Sequence, residues 1–215
     1  MHDIEIKNAT ILDGLGNQPY QGNIYVKDGR IVVITHQDTY DASISLDATG
    51  KIVTPGFIDL HTHSDISFLL DSTAQSKVRQ GVTLELIGNC GLSLCAPLIG
   101  DARDMFDNWV SDHTDSYNPT WTDYAGYIEA SKKAKATLNI AFQIGHASLR
   151  LAVMGQDDRS PTADELTEMK RLAGESLDAG ALGFSTGLFY APGYYARTDE
   201  VIAIAEEAGK RNKLY

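Results

Sequence analysis

Thr54-Pro55-Gly56-Phe57-Ile58-Asp59-Leu60-His61-Thr62-His63-Ser64-Asp65 sets a short apolar run between a Pro-Gly breaker and two histidines one residue apart. Phe57 to Leu60 reads as a buried strand, bounded upstream by Pro55-Gly56. In a strand, residues i and i+2 share a face and lie about 6.6 Å apart along the chain. His61 and His63 therefore leave the strand end on one side, and two imidazoles so placed can converge on one metal ion. Borderline metals such as zinc favour imidazole nitrogen. The competing reading is that one or both histidines cap the strand and bond the backbone. His-x-His directly after a buried strand favours the metal.

Upstream, residues 1–55 read as a small β domain. Ile4-Glu5-Ile6-Lys7 alternates, and Asn23–Val26 and Ile31–Ile34 are short apolar runs either side of Lys27-Asp28-Gly29-Arg30. Asp-Gly between two such runs is a hairpin signal. Ile44 and Leu46 predict one more short strand. No titratable cluster stands out here, so this part reads as scaffold.

Downstream, residues 56–215 change rhythm. Helical spacing is predicted over 73–80, 121–135, 162–179 and 199–210, alternating with strands at 57–60, 82–87, 138–144 and 181–185. Thr162 with Glu165 three residues later matches a capping box. Leu166, Met169, Leu172, Ala173 and Leu177 form the apolar stripe of that helix, and Gly180 stops it. Residues 101–118 are polar and aromatic and predict an insertion with a short helix. Alternating strands and helices imply parallel β/α units. The fold class is α/β, a metal-dependent (β/α) barrel, since such barrels place their chemistry at strand ends. His61/His63, Cys90, His146 and Ser185-Thr186-Gly187 all fall there. An open doubly wound sheet is the alternative, but no Gly-x-Gly-x-x-Gly turn follows its first strand. A complete barrel takes about 250 residues. Lys213-Leu214-Tyr215 begins only a fifth strand, so the expectation is the N-terminal half of a (β/α)8 barrel, truncated at strand five.

Composition narrows the function. The chain has 215 residues, 43% hydrophobic, enough for a sizeable core. Its net charge of -11 opposes a nucleic-acid partner, which needs a basic face. No run of ~20 apolar residues predicts a membrane span. Met1-His2-Asp3-Ile4-Glu5 is unlike a secretory leader, and two cysteines make no disulfide framework. The expectation is a soluble, reduced, cytoplasmic protein with no nucleic-acid or membrane partner. His2, His36 and His113 lie in segments without a motif and read as surface residues.

Three blocks together resemble a known family. Pro55 to Asp65 is similar to the first-strand signature of the amidohydrolase superfamily. Gly81-Val82-Thr83-Leu84-Glu85-Leu86-Ile87-Gly88-Asn89-Cys90-Gly91-Leu92-Ser93 and Gly180-Ala181-Leu182-Gly183-Phe184-Ser185-Thr186-Gly187-Leu188-Phe189-Tyr190-Ala191-Pro192-Gly193 narrow the resemblance to the N-acyl-D-amino-acid deacylases, or D-aminoacylases. It runs from about Ile4 to Tyr215.

The resemblance implies a zinc-dependent barrel beside a β domain built from both chain ends. It implies metal-ligand roles for His61, His63 and Cys90. A thiolate there is chemically sensible, because a bound metal deprotonates a thiol; the alternative for Cys90 is an inert buried thiol. Cys95 matches no ligand position and reads as structural. Many amidohydrolases bridge two metals with a carbamylated lysine on strand four. Ala181 to Leu188 contains no lysine, which disfavours a cyclic-amide amidohydrolase. Phe189 and Tyr190 resemble residues that line the substrate pocket; packed aromatics are the alternative. His146 and Arg150 read as groups orienting a ligand, or equally as a satisfied structural pair. Family members continue past strand five with the remaining metal ligands and the general base, so no catalytic base is assigned here.

The implied activity is zinc-dependent hydrolysis of an N-acyl-D-amino acid, a small-molecule substrate, to a carboxylic acid and a free D-amino acid. A contrasting reading is a non-catalytic fragment or half of a split enzyme. A lone half-barrel leaves sheet edges and apolar helix faces open, which implies self-association or a complementary C-terminal half.

Overall fold

The computed structural model describes residues 1–36, 38–94, 96–111 and 118–215. The readings made for Cys95 and His113 lie outside the described residues. The chain divides into two compact units, Met1–Gly56 and Phe57–Tyr215.

The first unit is a single sheet of β1 (His2–Ile11), β2 (Tyr20–Lys27), β3 (Arg30–Thr35), β4 (Ala42–Asp47) and β5 (Ile52–Val53). Its order is β3-β2-β1-β4, with β5 also pairing β1. β1, β2 and β3 run antiparallel in turn, whereas β4 and β5 lie parallel to β1. Asp28 and Gly29 turn the β2–β3 hairpin with φ of 51° and 71°. Two positive φ values in a two-residue loop match the twist of the flanking strands, which is why Asp-Gly sits there. Ala9, Ile11, Ile24 and Ala48 form the small core of this sheet.

The second unit carries the parallel sheet. β6 (Phe57–Asp59), β7 (Val82–Ile87), β8 (Asn139–Gly145) and β9 (Gly183–Ser185) lie side by side in chain order, all parallel. Single-turn helices α1 (Ser67–Leu70) and α2 (Gln75–Val78) join β6 to β7. Helices α3 (Asp101–Ser111) and α4 (Tyr124–Ala134) follow β7. Helices α5 (His146–Met154) and α6 (Ala163–Ala179) follow β8, and α7 (Thr198–Lys210) follows β9. Leu214 opens a fifth strand, bridging in parallel to Gly183. Four β/α units in sequential order are the first half of a (β/α) barrel. Among the described residues no helix is long and apolar enough to cross a membrane.

Helix faces and outward strand residues make one core. Phe106, Tyr127, Ile144, Leu149, Met169, Leu177, Phe184 and Ile204 are all buried in it. Each such side chain contributes roughly 1.5–3 kcal/mol of burial, an upper estimate. The Thr162–Glu165 capping box is formed in full at the start of α6, and Met169, Leu172, Ala173 and Leu177 are buried along it.

The run Phe57 to Leu60, read as a buried strand, is exposed, with Phe57 and Ile58 each at 58%, because β6 is the end strand of the order β6-β7-β8-β9. Two further local expectations change. The helix expected over 73–80 shrinks to Gln75–Val78. Asp71 captures the Thr73 N–H at 3.0 Å and its hydroxyl at 2.6 Å, and Ala74 takes a φ of 44°. Such side-chain-to-backbone bonds compete with the helical ladder. The second change is α5, which the sequence did not suggest. It starts directly after β8 with no side-chain cap and is buried on most of its circumference, so neither a cap signal nor an amphipathic stripe marks it.

Candidate metal centre

β6 ends at Asp59, and the chain carries His61 and His63 past its C-terminal end. β7 ends at Ile87, and the turn Gly88-Asn89-Cys90-Gly91 delivers Cys90 beside them. The Cys90 Sγ lies 3.3 Å from His61 Nε2. The two imidazoles meet edge to face with centroids 5.6 Å apart. One ligand atom from each of the three lies within 4.8 Å of the others. A tetrahedral zinc with bonds of about 2.3 Å to sulfur and about 2.0 Å to nitrogen separates those two atoms by roughly 3.5 Å. The donor set and its spacing therefore fit a single borderline metal ion. Both histidines are exposed and Cys90 is half-buried, so an ion here is reachable. Partial desolvation, and then the His61 charge, lower the His63 pKa. That favours the neutral imidazole a metal requires.

The histidine turn is held from several sides. Lys77 of α2 donates to Asp59 at 2.6 Å and to Thr62 Oγ1 at 3.4 Å, and lies 3.0 Å from the buried Glu85 of β7. Asp59 also accepts the His61 N–H at 3.3 Å. The Lys77 bond, followed by this one, holds the Asp59 carboxyl below its usual range. Asn89 donates to the Thr62 carbonyl at 3.1 Å and to the Leu86 carbonyl at 2.7 Å. One amide thus joins the turn between the histidines to the strand that bears Cys90. Asp65 is buried at 1% exposure. Burial pushes its carboxyl up to about 7, against the opposing pull of main-chain N–H groups that include Gly88 and Leu94. Its carbonyl accepts the Tyr127 hydroxyl at 2.5 Å.

His146 and Arg150 stand apart from this cluster. Both are fully buried on α5, and their partner is Glu200 of α7. His146 Nε2 lies 2.8 Å from Glu200 Oε1, and Arg150 Nη1 reaches both carboxylate oxygens at 2.9 and 2.7 Å. Arg150 Nη2 donates to the Asp157 and Arg159 carbonyls. Burial pushes the Glu200 carboxyl up, but its bonds to His146 and Arg150 outweigh that and leave it below its usual range. Neither residue makes a hydrogen bond to His61, His63 or Cys90 among the described residues. Phe189 and Tyr190 lie on the loop after β9, edge to face with centroids 5.3 Å apart. Both are exposed, Phe189 at 84%.

Glu200 and Lys77 carry no sequence signal of their own. Asn89, inside the Gly-rich turn, and Asp65, at the end of the first-strand block, lie in stretches already singled out, but the sequence alone gives neither a role.

Comparison with known proteins agrees with this architecture. A family model described as "Amidohydrolase family" matches residues 45–211. An N-acyl-D-glutamate deacylase of Alcaligenes xylosoxydans xylosoxydans is 36% identical over 214 residues, covering 99% of this chain and 43% of that protein. A D-aminoacylase of the same organism is 35% identical over 213 residues, with 99% and 43% covered. The crystal structure of N-acyl-D-glutamate deacylase from Bordetella bronchiseptica, complexed with zinc and a phosphonate inhibitor that mimics the tetrahedral intermediate, superposes with a TM-score of 0.84. It is 35% identical and covers 99% of this chain and 44% of that one. The chain thus spans less than half the length of these relatives. The family match takes in most of this sequence, from β4 through α7, and the chain belongs to the amidohydrolase family.

Proposed function

We propose that this chain carries the metal-binding half of a deacylase that hydrolyses the amide bond of N-acyl-D-amino acids. The observation that carries the proposal is the convergence of His61, His63 and Cys90 at the ends of two adjacent parallel strands. The relatives' names supply the reaction class. His61 and His63 would hold the ion through imidazole nitrogen and Cys90 through its thiolate, with zinc the metal this donor set suits best. A metal at this position supplies Lewis acidity toward the acyl carbonyl and lowers the pKa of water.

The remaining steps belong to the protein. Lys77, Asp59 and Asn89 fix the strand ends, so the ligands need little reorganisation when the ion arrives. Phe189 offers an apolar face to the substrate side chain, and the Tyr190 phenol offers a donor to its carboxylate. The general base is assigned to no residue of this chain.

A second reading rests on one further observation. Phe57, Ile58 and Leu60 are 58%, 58% and 67% exposed along the β6 edge, and among the described residues the parallel sheet has four strands where a closed barrel has eight. In this reading residues 1–215 bind metal but do not catalyse alone, and a complementary C-terminal half or a second copy covers the open sheet.

The test measures amine release from N-acetyl-D-methionine and its L enantiomer by the purified protein, before and after chelation. Chelator-sensitive release from the D substrate alone supports the deacylase. Equal or faster release from the L substrate overturns the stereochemical assignment. Metal binding without release from either overturns catalysis by this chain alone and supports the second reading.

A further inference from the structure

Cys90 sits in a backbone conformation that a non-glycine residue seldom adopts. Its φ is 55°, between Gly88 at 78° and Gly91 at 74°. A left-handed non-glycine residue is strained and persists only where its surroundings enforce it. The sulfur position depends on that conformation, so whatever enforces it also places the ligand.

The enforcing contact comes from two strands away. Ser185, the last residue of β9, donates its hydroxyl to the Gly88 carbonyl at 2.5 Å. The same oxygen accepts the Gly91 N–H at 3.1 Å. One side-chain oxygen therefore closes both ends of the Gly88–Gly91 turn. β9 is not a neighbour of β7; β8 lies between them. The reach is possible because glycines clear the space. A Cβ on Gly145, at the end of β8, would lie 2.4 Å from the Gly91 carbonyl oxygen, and one on Gly187 would lie 1.9 Å from the Cys90 carbonyl oxygen. Three strand ends thus collapse onto one turn, and Ser185 ties it.

We infer that Ser185 is a positioning residue for the Cys90 metal ligand, holding the Gly88–Gly91 turn in the left-handed geometry that aims the sulfur at His61 and His63. The inference rests on the metal-centre reading proposed above. Ser185 touches no metal; it acts through the backbone on either side of the cysteine. Conserving its hydroxyl conserves the ligand position, and removing it frees a strained turn to relax.

The test compares zinc affinity, by competition with a chromophoric chelator, with unfolding free energy in the parent and in four variants. Ser185→Ala loses both bonds and is expected to bind zinc about 10–100-fold more weakly, the loss typical of an outer-shell partner. Ser185→Thr keeps the hydroxyl and is expected to bind within about threefold of the parent, a difference of roughly 0.7 kcal/mol. Ser176→Ala, which removes a buried hydroxyl from the Leu172 carbonyl within α6, controls for lost stability and is expected to leave affinity unchanged. Ser185→Val, which matches the threonine variant in shape but lacks its hydroxyl, carries the same comparison against Ser185→Thr should Ser185→Ala fail to fold. Folded Ser185→Ala or Ser185→Val protein with parental affinity overturns the inference. So does an equal loss in Ser176→Ala. A parent that binds no zinc overturns the metal-centre reading as well, whereas a zinc-binding parent with an indifferent Ser185 overturns this inference alone.

Discussion

Gly187→Ala perturbs the candidate site through a single methyl group. The new Cβ would lie 1.9 Å from the Cys90 carbonyl oxygen and 2.6 Å from its carbonyl carbon. Real Cβ contacts stay beyond 3.0 Å, so at least 1.1 Å must open between the loop after β9 and the Cys90 turn. Both sides of the contact are backbone, and no flexible side chain can yield instead. Forced overpacking of this kind costs about 1–3 kcal/mol of stability. The effect on the site is larger than that figure suggests. Metal–ligand distances tolerate about 0.2 Å, so a shift of this size at Cys90 takes its sulfur out of bonding range of an ion held by His61 and His63. Zinc affinity is therefore expected to fall by about 10–100-fold or more. Gly209→Ala is the matched control. Nothing lies within 4 Å of its Cβ in α7, and alanine is the better helix former by up to about 1 kcal/mol. The assay pairs denaturant unfolding with chelator competition on both variants. Zinc affinity in Gly187→Ala within about twofold of Gly209→Ala would refute the close packing of β9 against the cysteine turn.

Glu200→Ala leaves Arg150 and His146 buried without their carboxylate and is expected to cost about 3–5 kcal/mol in chemical denaturation; a loss under about 1 kcal/mol contradicts the buried network. Asp65 gives a pH signature. Its folded pKa is raised from 3.8 to about 7, so the folded state keeps a proton the unfolded state releases. The stability tied to the neutral carboxyl is complete below about pH 4 and is lost as pH rises through about 7, roughly 4 kcal/mol in all. Unfolding measured from pH 4 to 8 should show this decline relative to Asp65→Asn, and parallel profiles would contradict the burial. Thr162→Ala removes the cap of α6 and should lower stability by about 0.5–2 kcal/mol, read as a drop in Tm; an unchanged Tm refutes the capping role.

Local signals in the sequence were legible where the structure uses local physics. Asp28-Gly29 is a two-residue hairpin because both residues must take positive φ. Thr162 and Glu165 close a capping box because the helix begins between them. His61 and His63 share a strand end, and Cys90 follows the next strand, so their convergence follows once the strands are parallel neighbours. What stayed illegible depends on distance along the chain. Ser185 and Gly88 are 97 residues apart, and Arg150 and Glu200 are 50 apart. No window of sequence contains both partners. α5 escaped for a different reason: a helix buried on most faces has no polar side to mark its period.

The most direct measurement of the central claim is the absorption spectrum of the protein loaded with one equivalent of cobalt(II). Bonding through Cys90 predicts a thiolate-to-cobalt charge-transfer band in the near ultraviolet. That band should vanish in Cys90→Ser, while the visible cobalt bands should weaken or shift in His61→Ala and His63→Ala. A cobalt spectrum unchanged by Cys90→Ser, or no cobalt bound to the folded parent, would contradict a metal centre at these three residues.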